Sequence, residues 1–424
     1  MSTVLDTQKT REKAGKYEQK VRNLFEKADI LIDGNRPGDI QVKNDKFYKL
    51  FDQKMTLGFV QAILQDYASV EDIDVFFYKL FLNNWNNTRP TLALIKDILG
   101  HKYFNLNKLR RQYIVEMQYN LPTDIFKYML GEQGAYTCGY WLDRQTGHEL
   151  DRNNPELLDT ASYNKYQLMA DKLGIEPGMH ILDMGCGWGY GARFLAQERG
   201  VKVTAVTIAS EQIKYGRELC QGLDVDFRHQ SFEEPILDEE GKPLRFDGVW
   251  CLGMFEHVGA KEHEKFMNAM KQLVTPDARM VIQTISFSKP VIITDPFIER
   301  CIFPDMTCSS PAQVSAAAEA SDYWRVFDLH EFVSESGAMY DPTLMAWSYH
   351  FNKHWEKIKP SITKGVVKKF ENTLNLKNLT SEDFRTIWDA YLKICAGAYR
   401  SMRYVRLIQY VLGGPEQGIP AEVR

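Results

Sequence analysis

Four glycines stand at alternate positions in the stretch ILDMGCGWGYGARFLA, which runs from Ile181 to Ala196. A short apolar run precedes them, and a helix-like pattern follows. Bare backbone between a strand and a helix lets a ligand approach the chain closely. Three ligands use such a turn: a nucleotide phosphate, a dinucleotide, or S-adenosylmethionine. The residues around the glycines help to decide among them.

The neighbours of these glycines argue against the first two ligands. A phosphate loop needs a lysine followed by serine or threonine, but Gly191 is followed by Ala192 and Arg193. A dinucleotide site needs an acidic residue about 20 positions further on, and the next strand ends in VTAVTIAS without one. Asp183 would repel a pyrophosphate but suits the ammonium group of S-adenosylmethionine. The pattern favours this third ligand, and a glycine-rich turn with a capping aspartate is the structural alternative.

The elements that would position this turn alternate along the chain from about Met169. The strand candidates are MHILDMG, VKVTAVTI, VDFRHQ, FDGVWCLG and ARMVIQTIS. The helix candidates are YGARFLAQER, SEQIKYGRELC and KEHEKFMNAMKQLV. Such alternation predicts an α/β, Rossmann-like fold with a mostly parallel, doubly wound sheet and helices on both faces. The later segment DAYLKICAGAYRSMRYVRLIQYVL is predicted to be helical.

Composition limits the remaining possibilities. The chain has 424 residues, 44% of them hydrophobic, and a net charge of −4, which gives no global reason to bind nucleic acid. We expect no membrane span and no signal peptide, because no apolar run is long enough and the N-terminus is polar. Seven cysteines without a Cys-x-x-Cys motif favour reduced thiols in a cytoplasm. The spacing of His257 and His263 matches no standard metal site, so no metal is expected.

Further motifs then become readable together with the glycine turn. They are YTCGYW, GMFEHVGAKEHEKF, FIERCIFPDM, YDPTLMAW and CAGAYR. From about Ala28 to about Leu412 the chain resembles the cyclopropane-fatty-acid synthase family, which includes the mycolic acid methyltransferases. The resemblance implies an enzyme that transfers a methylene from S-adenosylmethionine to a cis double bond of an unsaturated phospholipid acyl chain, forming a cyclopropane ring.

Two other functions stay open beside this one. A related alkene methyltransferase would give a methyl-branched or unsaturated product, or would act on a soluble lipid-like substrate. A non-catalytic lipid-binding protein with the same fold would have no need of Asp183, Gly185, Gly187 and Glu256. The resemblance also implies a cytoplasmic homodimer that associates peripherally with the inner face of the membrane.

Composition and pattern along the chain, together with this resemblance, divide it into four parts. Residues 1–20 are expected to be a mobile lead-in, and residues 21–90 a small mixed α/β domain related to lipid or membrane binding. Residues 91–130 would form a linker and helical segment. Residues 131–424 would be the methyltransferase catalytic domain, with a substrate-covering insertion around residues 290–350.

The resemblance also assigns a set of residues to the cofactor. Two would reach its methionine part, one its ammonium group, two would allow close approach to the backbone, two would hold the ribose, and two would flank the adenine. In that order they are Tyr136 and Thr137, Asp183, Gly185 and Gly187, Thr207 and Gln212, and Phe232 and Leu252. For Phe232 and Leu252, a plain position in the core is the alternative.

A second set would hold a bicarbonate ion, which the resemblance implies as the base. Its members are Cys138, Glu256, Ile285 and Tyr340, with backbone groups of Cys138 and Ile285 among the ligands. Glu256 would accept the proton of bicarbonate and orient the ion. Cys138 has no adjacent base, so a covalent role is disfavoured. Gln283 stands where the family has histidine, and an amide cannot supply the charge of an imidazolium.

Docking on a bilayer calls for a basic surface. A basic run with interleaved apolar residues is one candidate, and a solvated helix face is its alternative reading. The lysines are Lys353, Lys357, Lys359, Lys364, Lys368 and Lys369, and the apolar residues are Trp355, Ile358, Val366, Val367 and Phe370. Lys108, Arg110 and Arg111 form another basic patch.

Overall fold

The structure is a computed structural model that describes residues 2–83, 85, 121–288, 295–303, 306 and 308–415, with residues 2–14 described by their backbone alone. The patch of Lys108, Arg110 and Arg111 and most of the predicted 91–130 segment lie outside the described residues.

Helices and strands alternate through the middle of the chain as predicted. The described α-helices are α1 (Ser2–Lys27), α2 (Lys46–Leu64), α3 (Ile73–Leu82), α4 (Thr123–Met129), α5 (Leu158–Leu173), α6 (Tyr190–Arg199), α7 (Ser210–Leu219), α8 (His263–Leu273), α9 (Pro311–Ala320), α10 (Tyr340–Lys353), α11 (Trp355–Ile358), α12 (Lys364–Leu374) and α13 (Ser381–Arg400). The described strands are β1 (Gln41–Val42), β2 (Ala68–Ser69), β3 (His180–Met184), β4 (Lys202–Thr207), β5 (Val225–His229), β6 (Phe246–Leu252), β7 (Val274–Phe287), β8 (Arg325–Glu331), β9 (Val333–Ser334), β10 (Gly337–Ala338) and β11 (Val405–Gly413).

The main sheet has seven strands in the order β5-β4-β3-β6-β7-β11-β8. Neighbouring strands from β5 to β7 run parallel, and β11 runs antiparallel to both of its neighbours. The order reverses at β3, where one half of the sheet winds away from the other. Ligands of open α/β sheets bind at this place, outside the carboxyl ends of the strands. The predicted Rossmann-like, mostly parallel sheet is confirmed.

The prediction of helix up to residue 412 is wrong for its last part. Helix α13 ends at Arg400, and residues 405–413 form strand β11 between β7 and β8. Residues 407–412 of this strand are all buried. A strand that is covered on both faces gives the same unbroken apolar run as a buried helix, so periodicity does not distinguish them.

Both faces of the sheet are covered. Phe266 and Met270 of α8 pack with Trp324 into one apolar cluster. Met169 of α5 and Leu195 of α6 belong to a second cluster on the other face. The carboxyl ends of the strands stay fixed between these two layers.

The N-terminal segment has an aromatic core of its own side chains. The ring of Phe25 lies 5.4 Å from that of Phe51 and 5.5 Å from that of Phe76. Helix α1 begins at Ser2, so the predicted boundary between residues 20 and 21 falls within one helix. The predicted mobility of the lead-in and the domain boundaries stay predictions. No helix among the described residues is long and apolar enough to cross a membrane.

Helix α13 fastens this segment to the rest of the protein. Arg400 pairs with Asp74 of α3 at 2.8 Å and holds Asp341, at the start of α10, with two hydrogen bonds of 2.9 Å. At Gly397 the two helices approach so closely that a Cβ atom would lie 2.5 Å from the carbonyl oxygen of Asp74 and 2.7 Å from the amide nitrogen of Tyr78.

We therefore expect Gly397→Ala to lower the free energy of unfolding by about 1–3 kcal/mol, because the added methyl meets backbone atoms that cannot turn aside. Urea denaturation measures the loss. Gly365→Ala is the matched control: this glycine is exposed in α12, where a Cβ atom would meet only the Thr363 hydroxyl at 3.6 Å. Alanine there should be neutral or stabilising by up to about 1 kcal/mol. Equal effects of the two substitutions would contradict this account of the α3–α13 contact.

Candidate active site

The turn between β3 and α6 bends through glycines in the left-handed region. Gly185, Gly187 and Gly189 have φ of 85°, 54° and 85°. A Cβ atom at Gly187 would meet nothing within 4 Å, whereas one at Gly185 would lie 2.5 Å from the Cβ of Met254. Open space beside the backbone is therefore found at Gly187. At Gly185 the close approach is made by the protein's own Met254.

Asp183 is the last residue but one of β3 and lies inside the protein. Its side chain belongs to a residue that is 2% exposed, and burial raises the pKa of its carboxyl group to about 7. Among the described residues, no lysine, arginine or histidine pairs with this carboxyl group. A buried acid without a cation is costly to ionise, so a ligand ammonium group would complete it.

Thr207, the last residue of β4, forms a small polar pair with Gln212 of α7. The Thr207 hydroxyl donates to Oε1 of Gln212 at 2.9 Å, and both residues are buried. Leu252, at the end of β6, is half-buried. Phe232 is buried with its ring 5.4 Å from that of Phe266, within the core cluster under α8. The structure therefore gives Phe232 a core position.

The segment around Tyr136 and Thr137 meets the turn after β6. The Tyr136 hydroxyl lies 3.1 Å from that of Tyr391. Thr137 lies so close to Gly253 that a Cβ atom there would be 2.7 Å from its Cγ2 atom. The Thr137 hydroxyl accepts a hydrogen bond of 2.8 Å from Lys165. The predicted methionine-binding segment thus lies beside the carboxyl end of β6.

Glu256 follows β6 in the short 3-10 helix Phe255–His257. Its side chain is buried, because the residue is only 4% exposed. Its Oε1 atom accepts a hydrogen bond of 2.8 Å from the backbone N–H of Ile285, while its Oε2 atom is buried without a partner. Burial raises the pKa of this carboxyl group to about 7. The geometry leaves one carboxyl oxygen ready to contact a ligand.

Cys138 and Tyr340 lie in the same electrostatic neighbourhood as Glu256. Burial raises the pKa of the Tyr340 hydroxyl, and the Cys138 thiol and the Glu256 carboxyl group raise it further. Burial also raises the pKa of Cys138 to about 12, so this thiol stays protonated at neutral pH and is no nucleophile. Thr343 of α10 holds the cysteine's segment by accepting from the Gly139 amide and the Trp141 indole.

The side chain of Gln283 accepts a hydrogen bond from a glutamine of the neighbouring strand, β11. Nε2 of Gln409 donates to Oε1 of Gln283 at 2.9 Å, and the two residues are opposite each other in β11 and β7. Both are fully buried, and Nε2 of Gln283 has no partner. The Gln283 amide therefore retains the two N–H donors of Nε2, but it offers no charge.

Sequence reasoning missed several polar groups that line this region. The indole N–H of Trp347 and the hydroxyl of Tyr399 are buried without partners. Tyr399 stacks on Tyr340 with ring centroids 4.5 Å apart, and Trp347 lies 6.0 Å from Tyr340. Both residues occur in motifs quoted above, YDPTLMAW and CAGAYR, but nothing in a sequence shows that an aromatic polar atom lacks a partner.

Lys165 was also missed, although the sequence carries a signal for it. In α5, Lys165, Met169 and Lys172 follow one another at spacings of four and three residues, which places them on one face of the helix. Met169 belongs to the core, so a lysine in the same phase must be buried.

Three of the six lysines in the predicted basic run form ion pairs with glutamates of the protein. Lys353, Lys359 and Lys368 pair with Glu156, Glu382 and Glu371. The interleaved apolar residues, Trp355, Ile358, Val366, Val367 and Phe370, are buried. Because these side chains face the core, they are not available for insertion into a bilayer.

Known proteins are similar to this chain in sequence and in fold. The profile of the family described as mycolic acid cyclopropane synthetase matches residues 107–410. The cyclopropane-fatty-acyl-phospholipid synthase of Escherichia coli (strain K12) is 33% identical over 401 residues, which are 93% of each chain. The sphingolipid C9-methyltransferase of Komagataella phaffii is 27% identical over 63% of this chain and 55% of its own.

Solved structures agree on the fold. The crystal structure of a mycolic acid cyclopropane synthase complexed with SAH and CTAB superposes with a TM-score of 0.55 at 22% identity, covering 71% of this chain and 97% of its own. A coclaurine N-methyltransferase gives a TM-score of 0.59 at 17% identity, covering 84% of this chain and 99% of its own. Fold, motifs and full-length similarity lead to one conclusion: the chain belongs to the mycolic acid cyclopropane synthetase family, as its sequence motifs predicted.

Proposed function

We propose that the protein is an S-adenosylmethionine-dependent enzyme that converts a cis double bond in a phospholipid acyl chain into a cyclopropane ring. One observation carries the proposal. Asp183 and Glu256 are buried at the carboxyl ends of adjacent strands, β3 and β6, and neither pairs with a cation among the described residues. A methylation site needs such groups for two different tasks.

The first carboxyl group fits the cofactor. Asp183 would hold the ammonium group, beside the open space at Gly187. Thr207 and Gln212 are already paired with each other and would present neutral donors and acceptors to the ribose hydroxyl groups. Tyr136 and Thr137 would contact the methionine part from the opposite side.

The cofactor would supply an electrophilic methyl group: as the alkene forms a C–C bond to it, the S–CH3 bond breaks and S-adenosylhomocysteine leaves. The carbocation on the acyl chain would then lose a proton from the added methyl to a base and close to a ring. Aromatic faces stabilise a cation by about 0.5–2 kcal/mol each. Tyr136 has its ring 5.3 Å from that of Trp347, and Tyr340 and Tyr399 stack nearby. These rings would surround the positive charge without offering a nucleophile.

The second carboxyl group fits an anionic base. A bicarbonate ion would take the proton, held through Glu256, a backbone group of Cys138 and the Tyr340 hydroxyl. The Ile285 N–H already donates to Glu256 and would act on the ion through that carboxyl group. Oε2 of Glu256 is an acceptor for the hydroxyl of bicarbonate, and Trp347 and Tyr399 offer two unpartnered donors for its oxygens. Two such donors would offset part of the charge that Gln283 does not supply.

The proposal that the substrate is a phospholipid rests on the 33% identical relative, whose name states that substrate class. The neutral Gln283 favours one alternative, an alkene methyltransferase whose carbocation gives a methyl-branched or unsaturated product. In this alternative the carbocation loses a proton from the acyl chain instead of from the added methyl, which leaves a methyl-branched alkene; a saturated methyl branch would also need a hydride donor.

A substrate in a bilayer also requires contact with the membrane surface, and we place it at the lysines between residues 353 and 369. Ion pairs at exposed positions contribute at most about 1 kcal/mol, so anionic headgroups can displace Glu156 from Lys353 and Glu382 from Lys359. Flotation with anionic vesicles, lost at high salt, tests this surface. The homodimer implied by the family resemblance is tested by sedimentation.

Asp183→Asn should stabilise the protein without ligand and weaken its binding of S-adenosylhomocysteine. The pKa of Asp183 is raised from 3.8 to about 7. Its folded state therefore holds a proton that the unfolded chain releases, and stability falls as pH rises between these values. The advantage of the asparagine variant should grow by up to about 4 kcal/mol from about pH 4 to about pH 7 and then level off.

Urea denaturation at several pH values measures the first effect, and calorimetry with S-adenosylhomocysteine measures the second. Asp224→Asn, at an exposed position before β5, is the control. A variant that binds as tightly as the wild type would remove Asp183 from the cofactor site.

Glu256→Gln should keep the affinity for S-adenosylhomocysteine but lose turnover by about a hundredfold or more, because it orients the base and does not touch the cofactor. Mass spectrometry of lipids from a host that expresses each variant measures the product. A gain of one methylene with loss of alkene reactivity identifies the ring. Glu264→Gln, exposed in α8, is the control. Near-normal turnover would exclude Glu256 from the mechanism.

Gln283→His should lower the bicarbonate concentration needed for activity by about tenfold, because a charge-assisted hydrogen bond is roughly twice as strong as a neutral one. Turnover is measured in bicarbonate-depleted buffer with increasing bicarbonate. The same substitution at the exposed Gln221 is the control. If both proteins are indifferent to bicarbonate, another base acts and the methyl-branched or unsaturated product gains support.

A further inference from the structure

We propose that Lys165 is a positioning residue that recognises the carboxylate of S-adenosylmethionine through Thr137. The inference rests on the proposed function and adds a residue that neither the motifs nor the family resemblance assigned. It begins from a lysine that is fully buried in α5.

The environment of Lys165 contains no anion among the described residues. Its Nζ atom donates to the Thr137 hydroxyl at 2.8 Å and lies 4.5 Å from the ring centroid of Tyr166. No aspartate or glutamate pairs with it, and burial lowers its pKa to about 7. An unpaired buried charge costs several kcal/mol, so a residue of this kind is expected where a ligand supplies the missing charge.

Lys172, two turns further along the same helix, shows the opposite arrangement. It is 2% exposed, and its Nζ atom lies 3.1 Å from a carboxylate oxygen of Asp328 and 2.9 Å from Nδ1 of His330. The protein thus provides an acid for one buried lysine of α5 and none for the other. This contrast separates Lys165 from a lysine that only fills space.

Two buried groups near the glycine turn lack partners of opposite charge, and their own charges have opposite signs. Asp183 is a buried acid without a cation, and Lys165 is a buried base without an anion. Burial alone accounts for the raised pKa of Asp183, so the two groups do not neutralise each other. The amino-acid part of S-adenosylmethionine carries one ammonium and one carboxylate group. It would satisfy both residues at once.

Thr137 connects Lys165 to that carboxylate. A hydroxyl group has one proton and two lone pairs. Because Lys165 already donates to the Thr137 oxygen, the hydroxyl proton is directed elsewhere and can be donated to a carboxylate. Thr137 lies next to Gly253, at the carboxyl end of β6. Lys165 therefore orients and polarises the group that touches the ligand.

The test compares two ligands that differ only in the carboxylate. Calorimetry measures binding of S-adenosylhomocysteine and of its decarboxylated analogue to the wild type, Lys165→Met and the matched control Lys172→Met. We expect Lys165→Met to weaken S-adenosylhomocysteine binding by about tenfold to a hundredfold and to leave the analogue within about threefold. Lys172→Met should not change the preference between the ligands.

Equal losses for both ligands would show a merely structural role, and unchanged binding would exclude Lys165 from recognition; either result overturns the inference. Thr137→Val gives a second line of evidence that does not depend on the folding of Lys165→Met. It should lose the same preference for the carboxylate, and the double variant should lose little more than either single variant. A wild type that binds neither ligand would instead contradict the proposed function, so the two failures are distinguishable.

Discussion

The desolvation of charged groups is the constraint on which the whole site depends. Asp183, Glu256 and Lys165 lie in surroundings that disfavour their charged forms, and no opposite charge among the described residues relieves them. The apolar packing on both faces of the sheet must offset the free energy that this desolvation costs. In return, every interaction with a bound ligand takes place away from water, where hydrogen bonds to charges are strongest.

The sheet makes this arrangement possible because helices pack along the strands on both faces, while the polar side chains lie at the carboxyl ends of the strands. Asp183 and Glu256 are held by adjacent parallel strands, and the backbone N–H of Ile285 in the next strand fixes one oxygen of Glu256. Both side chains are thus positioned by rigid backbone, and Oε2 of Glu256 stays without a partner.

Much of this could be predicted from sequence, since strand and helix periods alternate clearly from Met169 onward and the glycine turn marks the ligand edge. Asp183 and Glu256 were recognisable because the first lies near the end of an apolar strand and the second follows one. Strand β11 was not, because burial on both faces removes the period that identifies a strand. Lys165, Trp347 and Tyr399 were also missed. Their importance lies in which polar atoms lack partners, and this depends on contacts between segments far apart in the chain.

The contact between α3 and α13 has a consequence for the synthesis of the protein. Gly397 of α13 packs on residues 74–78 of α3. The helix that covers α3 is therefore synthesised about 320 residues after α3 itself. At about 5–20 residues per second, a ribosome takes roughly 15–60 s to provide it. During that time the apolar surface of IDVFFYKLFL lacks its native partner. The face of α3 that α13 covers is therefore completed only after most of the chain has been made, although the aromatic core within the N-terminal segment can form earlier.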